Sequence, residues 1–372
     1  LFLVLQTYPF NRLFVSLFTM FKRSAIGLMS GTSCDGLDLL HATFLKENNK
    51  WSFEINASLE RPYSDSFREQ LHKLHTLSTP DLLKMDVELG KLFADQCHSF
   101  IQDENLTTDL IASHGHTVYH QPDLGYTLQI GNPFLIAEKC RLPVYADFRS
   151  QDVALGGQGA PLVPIGDSLL FSEYDACINL GGFANISFEE NSQRLAFDVC
   201  AVNLILNQLS QRLGHSYDLN GQLARNGRVI PELLEKLNAL DYFKKVGPKS
   251  LGREWLDEYV LPHFEQGETA DLLRTAVEHI AQQISFTQKK LNFKKVLFTG
   301  GGSFNTFLLE RISSLTSLDI QLPNKQLITQ KEALIFAFLG ILKNLGETNV
   351  LSSVTGAKND HSSGQLFLPS TV

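Results

Sequence analysis

Apolar and polar positions change rhythm along this chain, and the changes separate strands from helices. Residues 26–29 form a continuous apolar run, residues 30–36 are rich in hydroxyls and glycine, and residues 37–45 are again mostly apolar. That order predicts strand, turn, strand. Residues 51–60 alternate and predict a further, half-buried strand. Phe67, Leu71 and Leu74 have helical spacing within 65–77. Thr79 and Pro80 then offer a cap and a first-turn proline to a long amphipathic helix over 81–102, whose apolar face includes Leu89, Phe93 and Phe100. A short buried strand over 109–113 ends in the polar run 113–117, and a helix over 133–141 precedes a strand over 143–147.

The second half repeats this logic. Residues 176–180 predict a buried strand, 181–185 a glycine turn, 186–189 its partner, and 195–197 a third strand ending at Asp198. The chain continues through 199–203 into a helix over 204–213. A helix over 269–291 and a strand over 295–299 lead into Gly300-Gly301-Gly302, and the last long helix, 329–345, carries Glu332 on its first turn. Two strand–glycine–strand hairpins and a late strand–glycine–helix junction point to an internally duplicated α/β fold. The expected division is an N-terminal domain over 20–150, with 346–372 as the segment that would complete it, and a C-terminal domain over 151–345. Residues 1–19 are apolar but broken by Pro9, Asn11 and Arg12, and are expected to be a disordered or loosely attached extension ahead of Met20.

Composition narrows the class. With 372 residues, 43% of them hydrophobic, the chain can bury two large cores. Its 40 acidic against 32 basic residues give a net charge of −8, the wrong sign for a general nucleic-acid binder. Cys34, Cys97, Cys140, Cys177 and Cys200 are scattered without a CxxC pair, which argues for reduced thiols in a cytoplasmic protein and against structural zinc. The run 13–21 is too short to cross a bilayer, so no membrane partner is expected.

The stretch 26–38 holds the densest candidate chemistry. Gly31 and Gly36 permit converging backbone N–H groups, and Ser30, Thr32 and Ser33 add hydroxyl donors suited to phosphate. Asp35 and Asp38 would repel a polyphosphate unless a Mg²⁺ ion lay between them. A polar hairpin turn is the plainer reading of the same residues. His114, His116 and His120 invite a metal, but zinc would need further ligands, and substrate hydrogen bonding or plain loop structure fits them as well. Arg149 is either a carboxylate clamp or a partner for Asp147 or Asp152. Asp198 is either a general base at a strand end or a helix cap. The triple glycine 300–302 would let a base or ribose rest on backbone.

No GxxxxGK[ST] loop occurs, which argues against a P-loop enzyme. The pattern resembles the sugar-kinase, Hsp70 and actin superfamily, in which two RNase H-like α/β domains close on an ATP and sugar cleft. From about residue 26 to 357 the chain more closely resembles the anhydro-N-acetylmuramic acid kinase family. The residues carrying this are 27–38, 113–117, 129–133, 146–149, 156–164, 179–185, 247–254, 300–305 and 354–357. The resemblance implies a kinase that uses ATP and Mg²⁺ to open the 1,6-anhydro bridge of its sugar and phosphorylate O6, in cytoplasmic peptidoglycan recycling. ATP would lie on Gly31, Thr32, Ser33, Cys34, Asp35, Gly36, Leu37 and Asp38, on Gly181, Gly182 and Asn185, and on Gly300, Gly301, Gly302 and Asn305. Asp198 would be the base, and Asp35 would hold Mg²⁺ through water. His116, Arg149, Asn203 and Glu332 would contact sugar. The expected partners are thus sugar and ATP, and a homodimer is left open.

The chain departs from that family where Cys200-Ala201-Val202 replaces a usual Gly-Pro-Gly, where His116 replaces a usual glutamine, and where Met29 stands in place of the aspartate of many superfamily kinases. A kinase for another sugar and a non-catalytic ATP-binding homologue are the rival readings. Retention of Asp35 and Asp198 argues against the second.

Overall fold

In the computed structural model, which describes residues 21–245 and 247–370, two mixed sheets organise the chain. The expected extension 1–19 lies outside the described residues. In the first sheet β1 (Phe21–Ser30), β2 (Gly36–Glu47) and β3 (Lys50–Pro62) form an antiparallel meander. β4 (Leu110–Gln121) lies parallel to β1, β5 (Tyr126–Ile130) folds back on its second half, and β6 (Val144–Ala146) extends the sheet in parallel. The second sheet repeats the plan. β7 (Ala176–Leu180), β8 (Phe183–Glu190) and β9 (Gln193–Ala201) form the meander, and β10 (Lys295–Thr299) and β11 (Asp319–Gln321) add in parallel beyond β7. Near the C-terminus, β12 (Gln365–Phe367) pairs antiparallel with β6. This is the doubled α/β architecture expected from the two glycine hairpins.

The unbroken apolar run in β1 follows from burial on both faces. Ile26 and Leu28 pack beneath the helix Thr79–Asp103, against Leu89, Phe93 and Phe100. Ala25 and Met29 face the opposite way, toward the helix Lys325–Asn344. That helix lies between the sheets: its Ala333–Leu339 run shares one apolar core with Ala25 and Ala112 of the first sheet and with Cys177 and Leu297 of the second. Contact is close enough that a Cβ on Gly27 would stand 1.9 Å from the Ala333 carbonyl oxygen. The far face of the second sheet, with Ile178, Ile186 and Phe298, is covered by Thr269–Leu291.

Several expected boundaries shift. The helix expected over 81–102 starts at Thr79 and is capped by Ser78, and the one expected over 65–77 ends at His72, followed by a short 3-10 turn over Leu74–Thr76. β4 does not stop at Ser113 but runs through the polar residues to Gln121, because β5 supplies a hydrogen-bonding partner from His116 onward. β9 does not end at Asp198 but continues to Ala201, since Cys200 pairs with Ala184 and Ala201 with Phe183. Cys200, Ala201 and Val202 are all buried in the second core. The last long helix starts at Lys325, capped by Asn324, whose side chain accepts the Leu327 N–H at 2.9 Å. Glu332 therefore sits about two turns inside the helix, not on its first turn.

Candidate active site

On the second sheet, Asp198 is half-buried and its two carboxylate oxygens have different partners. Oδ1 accepts the Asn185 amide at 3.0 Å, and Oδ2 accepts the Leu251 N–H at 2.8 Å. Each oxygen keeps a further acceptor position. The main chain is held as well: the Asp198 N–H donates to Lys249, and its carbonyl accepts the Tyr242 hydroxyl at 2.6 Å. Burial raises the carboxyl pKa, and the Leu251 N–H and Asn185 amide oppose that rise. The following helix Asn203–Gln211 has no side-chain cap at its N-terminus, so Asp198 does not cap it.

From Asp198 a row of side chains crosses the sheet. Asn185 accepts from Asn179 at 3.3 Å, and Asn179 accepts from Thr299 at 3.5 Å. Beyond Thr299 the chain turns at Gly300, whose φ of +81° and close approach to Asn179 favour glycine. Asn203 lies between the two glycine turns. Its amide donates to the Leu180 carbonyl at 3.1 Å, and its N–H donates to Gly181. Gly181, Gly182, Asn185, Asn203, Gly300, Gly301 and Gly302 are thus gathered at one end of the second sheet. Asn305 is spent differently: it caps the helix Thr306–Leu315, accepting the Leu308 N–H at 3.0 Å.

The Gly300 N–H donates to the Ile328 carbonyl, which ties this end of the sheet to the helix Lys325–Asn344. One turn further along that helix is Glu332, exposed to solvent yet flanked by protein groups that raise its pKa by desolvation, with Arg149 and Lys331 opposing. Asp38 lies near Glu332 and beside Glu60, and the Gln330 amide donates to both Asp38 (3.3 Å) and Glu60 (3.2 Å). Burial, then repulsion from Glu60, pushes the Asp38 carboxyl up to about 6.

Arg149 does not pair with Asp147 or Asp152. Its Nε and Nη2 donate to His114 Nε2 at 3.2 and 2.8 Å, and its Nη1 donates to the Gly159 carbonyl at 2.6 Å. The three histidines have separate duties. His116 Nδ1 is 2.9 Å from the Ser30 hydroxyl, which also meets Tyr63 at 2.8 Å, and His120 Nδ1 is 3.1 Å from Thr127. Among the described residues no group of three or more His, Cys, Asp or Glu is placed to hold a metal ion. At the tip of the first hairpin Thr32 and Ser33 are exposed, Cys34 and Leu37 are buried, and exposed Asp35 faces Arg68 at 3.4 Å.

A sequence profile for anhydro-N-acetylmuramic acid kinase matches residues 23–369. The chain belongs to the anhydro-N-acetylmuramic acid kinase family. Relatives of that name include one from Sulfurovum sp., 34% identical over 94% of this chain and 100% of its own length. Another, from Aliivibrio fischeri, is 34% identical over 92% of this chain and 98% of its own. A third, from Colwellia psychrerythraea, is 36% identical over 93% and 98%. In this kinase, Cys200, Ala201 and Val202 are buried in the second core, and the Val202 N–H donates to the Gly182 carbonyl at 2.8 Å.

Several contributors to the site carry no signal in the local sequence of this family member. Asn179 and the Leu251 N–H support Asp198 from strands and loops distant in sequence, and Glu60 meets Asp38 across the β2–β3 pairing. Period-two alternation over 51–60 places Glu60 on a strand, but does not show that Asp38 lies opposite it. Of the three clustered histidines, His114 is the one that accepts from Arg149. Among the described residues no helix is long and apolar enough to cross a membrane.

Proposed function

We propose that this protein uses ATP and water to convert 1,6-anhydro-N-acetylmuramic acid to N-acetylmuramic acid 6-phosphate and ADP, in cytoplasmic recycling of peptidoglycan. The observation that carries the reading is Asp198, a half-buried carboxylate of raised pKa with one further acceptor position on each oxygen, set beside two glycine turns. It takes a proton from water as the water oxygen bonds to the anomeric carbon. The C1–O6 bond breaks through an oxocarbenium-like state, and its electron pair stays on O6. O6 then attacks the γ-phosphorus in line, and ADP leaves with the electrons of the broken P–O bond. The departing O6 needs no separate acid, because it is captured by phosphorus.

The turns at 181–182 and 300–302 offer ATP backbone without side-chain bulk, and Thr32 and Ser33 offer hydroxyls from the facing hairpin. Asn203 and Glu332 line the sugar side, and His116 adds a ring held by Ser30. Arg149 receives the carboxylate of the sugar's acidic substituent. For Mg²⁺ the donor set favours Asp38 with Glu60 over Asp35. The first two are mutually repelling hard-oxygen ligands, whereas Asp35 faces Arg68. When bound, the ion would supply neutralisation of phosphate charge.

Incubation of the purified protein with ATP, Mg²⁺ and the anhydro sugar should yield the 6-phosphate, identified by mass. Phosphorylation of a different anhydro or free sugar, with this one untouched, would replace the substrate assignment. Consumption of neither ATP nor sugar would favour the non-catalytic reading.

A further inference from the structure

Arg149 is a cation whose hydrogen bonds, among the described residues, go only to neutral acceptors. A guanidinium has five N–H donors, and His114 with Gly159 takes three of them. One N–H on each terminal nitrogen is left, which is the edge that grips a carboxylate in parallel. What fixes that edge is His114. The residue is 5% exposed, its Nδ1 must donate to the Gly115 carbonyl at 2.9 Å, and its ring packs edge-on against Phe336 at 4.7 Å. The tautomer is thereby set, and Nε2 presents a lone pair to Arg149. A protonated ring would instead direct a donor at a cation. Burial, with Arg149 beside it, holds the ring neutral by lowering its pKa to about 3. The second wall is equally stiff, since Asp152 accepts the Gly159 N–H at 2.6 Å and the Thr355 hydroxyl at 2.7 Å.

We infer that His114 is a positioning residue which, as a neutral acceptor, turns the free edge of Arg149 toward the carboxylate of the sugar. The inference rests on Arg149 receiving that carboxylate. It makes the His114–Arg149 pair the element that separates acidic from neutral anhydro sugars.

The test compares the parent with His114→Phe, His114→Gln, Arg149→Gln and the double variant His114→Phe/Arg149→Gln. Calorimetric affinities are measured without nucleotide for 1,6-anhydro-N-acetylmuramic acid and for 1,6-anhydro-N-acetylglucosamine, which lacks the acidic substituent. Loss of a charge-assisted contact should weaken the acidic sugar about 10- to 100-fold in His114→Phe, with the neutral sugar nearly unaffected. His114→Gln, which restores an acceptor, should recover most of the loss, and KM should rise more than kcat falls. The double variant should bind no worse than Arg149→Gln alone. Should the phenylalanine variant not fold, His114→Met makes the same comparison. Full retention of acidic-sugar affinity in His114→Phe, alongside a loss in Arg149→Gln, would overturn the role of His114 and leave that of Arg149 standing. Equal loss of both sugars in His114→Phe would reduce His114 to structure. Unchanged discrimination in Arg149→Gln would refute the Arg149 assignment itself, and the inference with it.

Discussion

Asp198 is held by one donor on each oxygen, which orients it without saturating it. As a base it must be ionised, and burial places its pKa above the ordinary aspartate value. The acid limb of kcat/KM should therefore lie above the range of an exposed aspartate, with activity falling as pH falls through it. Asp198→Asn should remove that limb and lower turnover by about 10²–10⁴-fold, with ATP affinity little changed. A mutant with most of its activity would end the assignment. Asp38 yields a prediction of stability. Its folded pKa of about 6 exceeds the usual unfolded value, so the folded state holds the proton more tightly. Its contribution to stability should fall as pH rises from about 4 to about 6, in the absence of metal and nucleotide. Asp38→Asn should flatten this slope and raise stability at pH 7, measured by urea unfolding. Parallel pH profiles for the two proteins would contradict the raised Asp38 pKa, which burial and then Glu60 produce.

Among the elements, the helix Lys325–Asn344 is the one whose fit to β1 tolerates least change. Gly27→Ala would drive a methyl group into the Ala333 carbonyl, so the helix or strand must shift. A cost of about 1–3 kcal/mol is expected, read as a lowered denaturation midpoint; a neutral result would mean the pair separates freely. Period-two and helical spacing made most elements legible, including the helix Thr269–Leu291 and the strand Lys295–Thr299. They did not reveal that β4 and β9 would outrun their apolar residues, because pairing with β5 and β8 extends a strand independently of side-chain hydrophobicity. The glycine turns after β7 and β10 were likewise legible, since a turn is set by local sequence. The Asn179–Asn185–Asp198 row and the His114–Arg149 pair were not, because the first depends on the register of the β7–β8–β9 meander and the second joins residues far apart in sequence.

At the scale of the whole molecule, one buried ion pair fastens the helix Lys325–Asn344 into the second half. Lys331 meets Asp167 at 2.6 Å, and Asp167 accepts the Ser187 hydroxyl of β8. Removing the cation in Lys331→Met would leave Asp167 buried with Arg194 4.0 Å away, and should cost about 3–5 kcal/mol in chemical denaturation. A loss under about 1 kcal/mol would show Arg194 or solvent compensating. The same helix joins the glycine turn at 300 to Glu332, so the two halves meet where bond cleavage and phosphoryl transfer are proposed to be linked. That linkage has a direct isotopic signature. When the reaction is run in ¹⁸O-water, the label should enter the C1 hydroxyl of the sugar product, with none in its phosphate group. Label in the phosphate would mean that water attacks phosphorus, and Asp198 would not be the base that opens the ring.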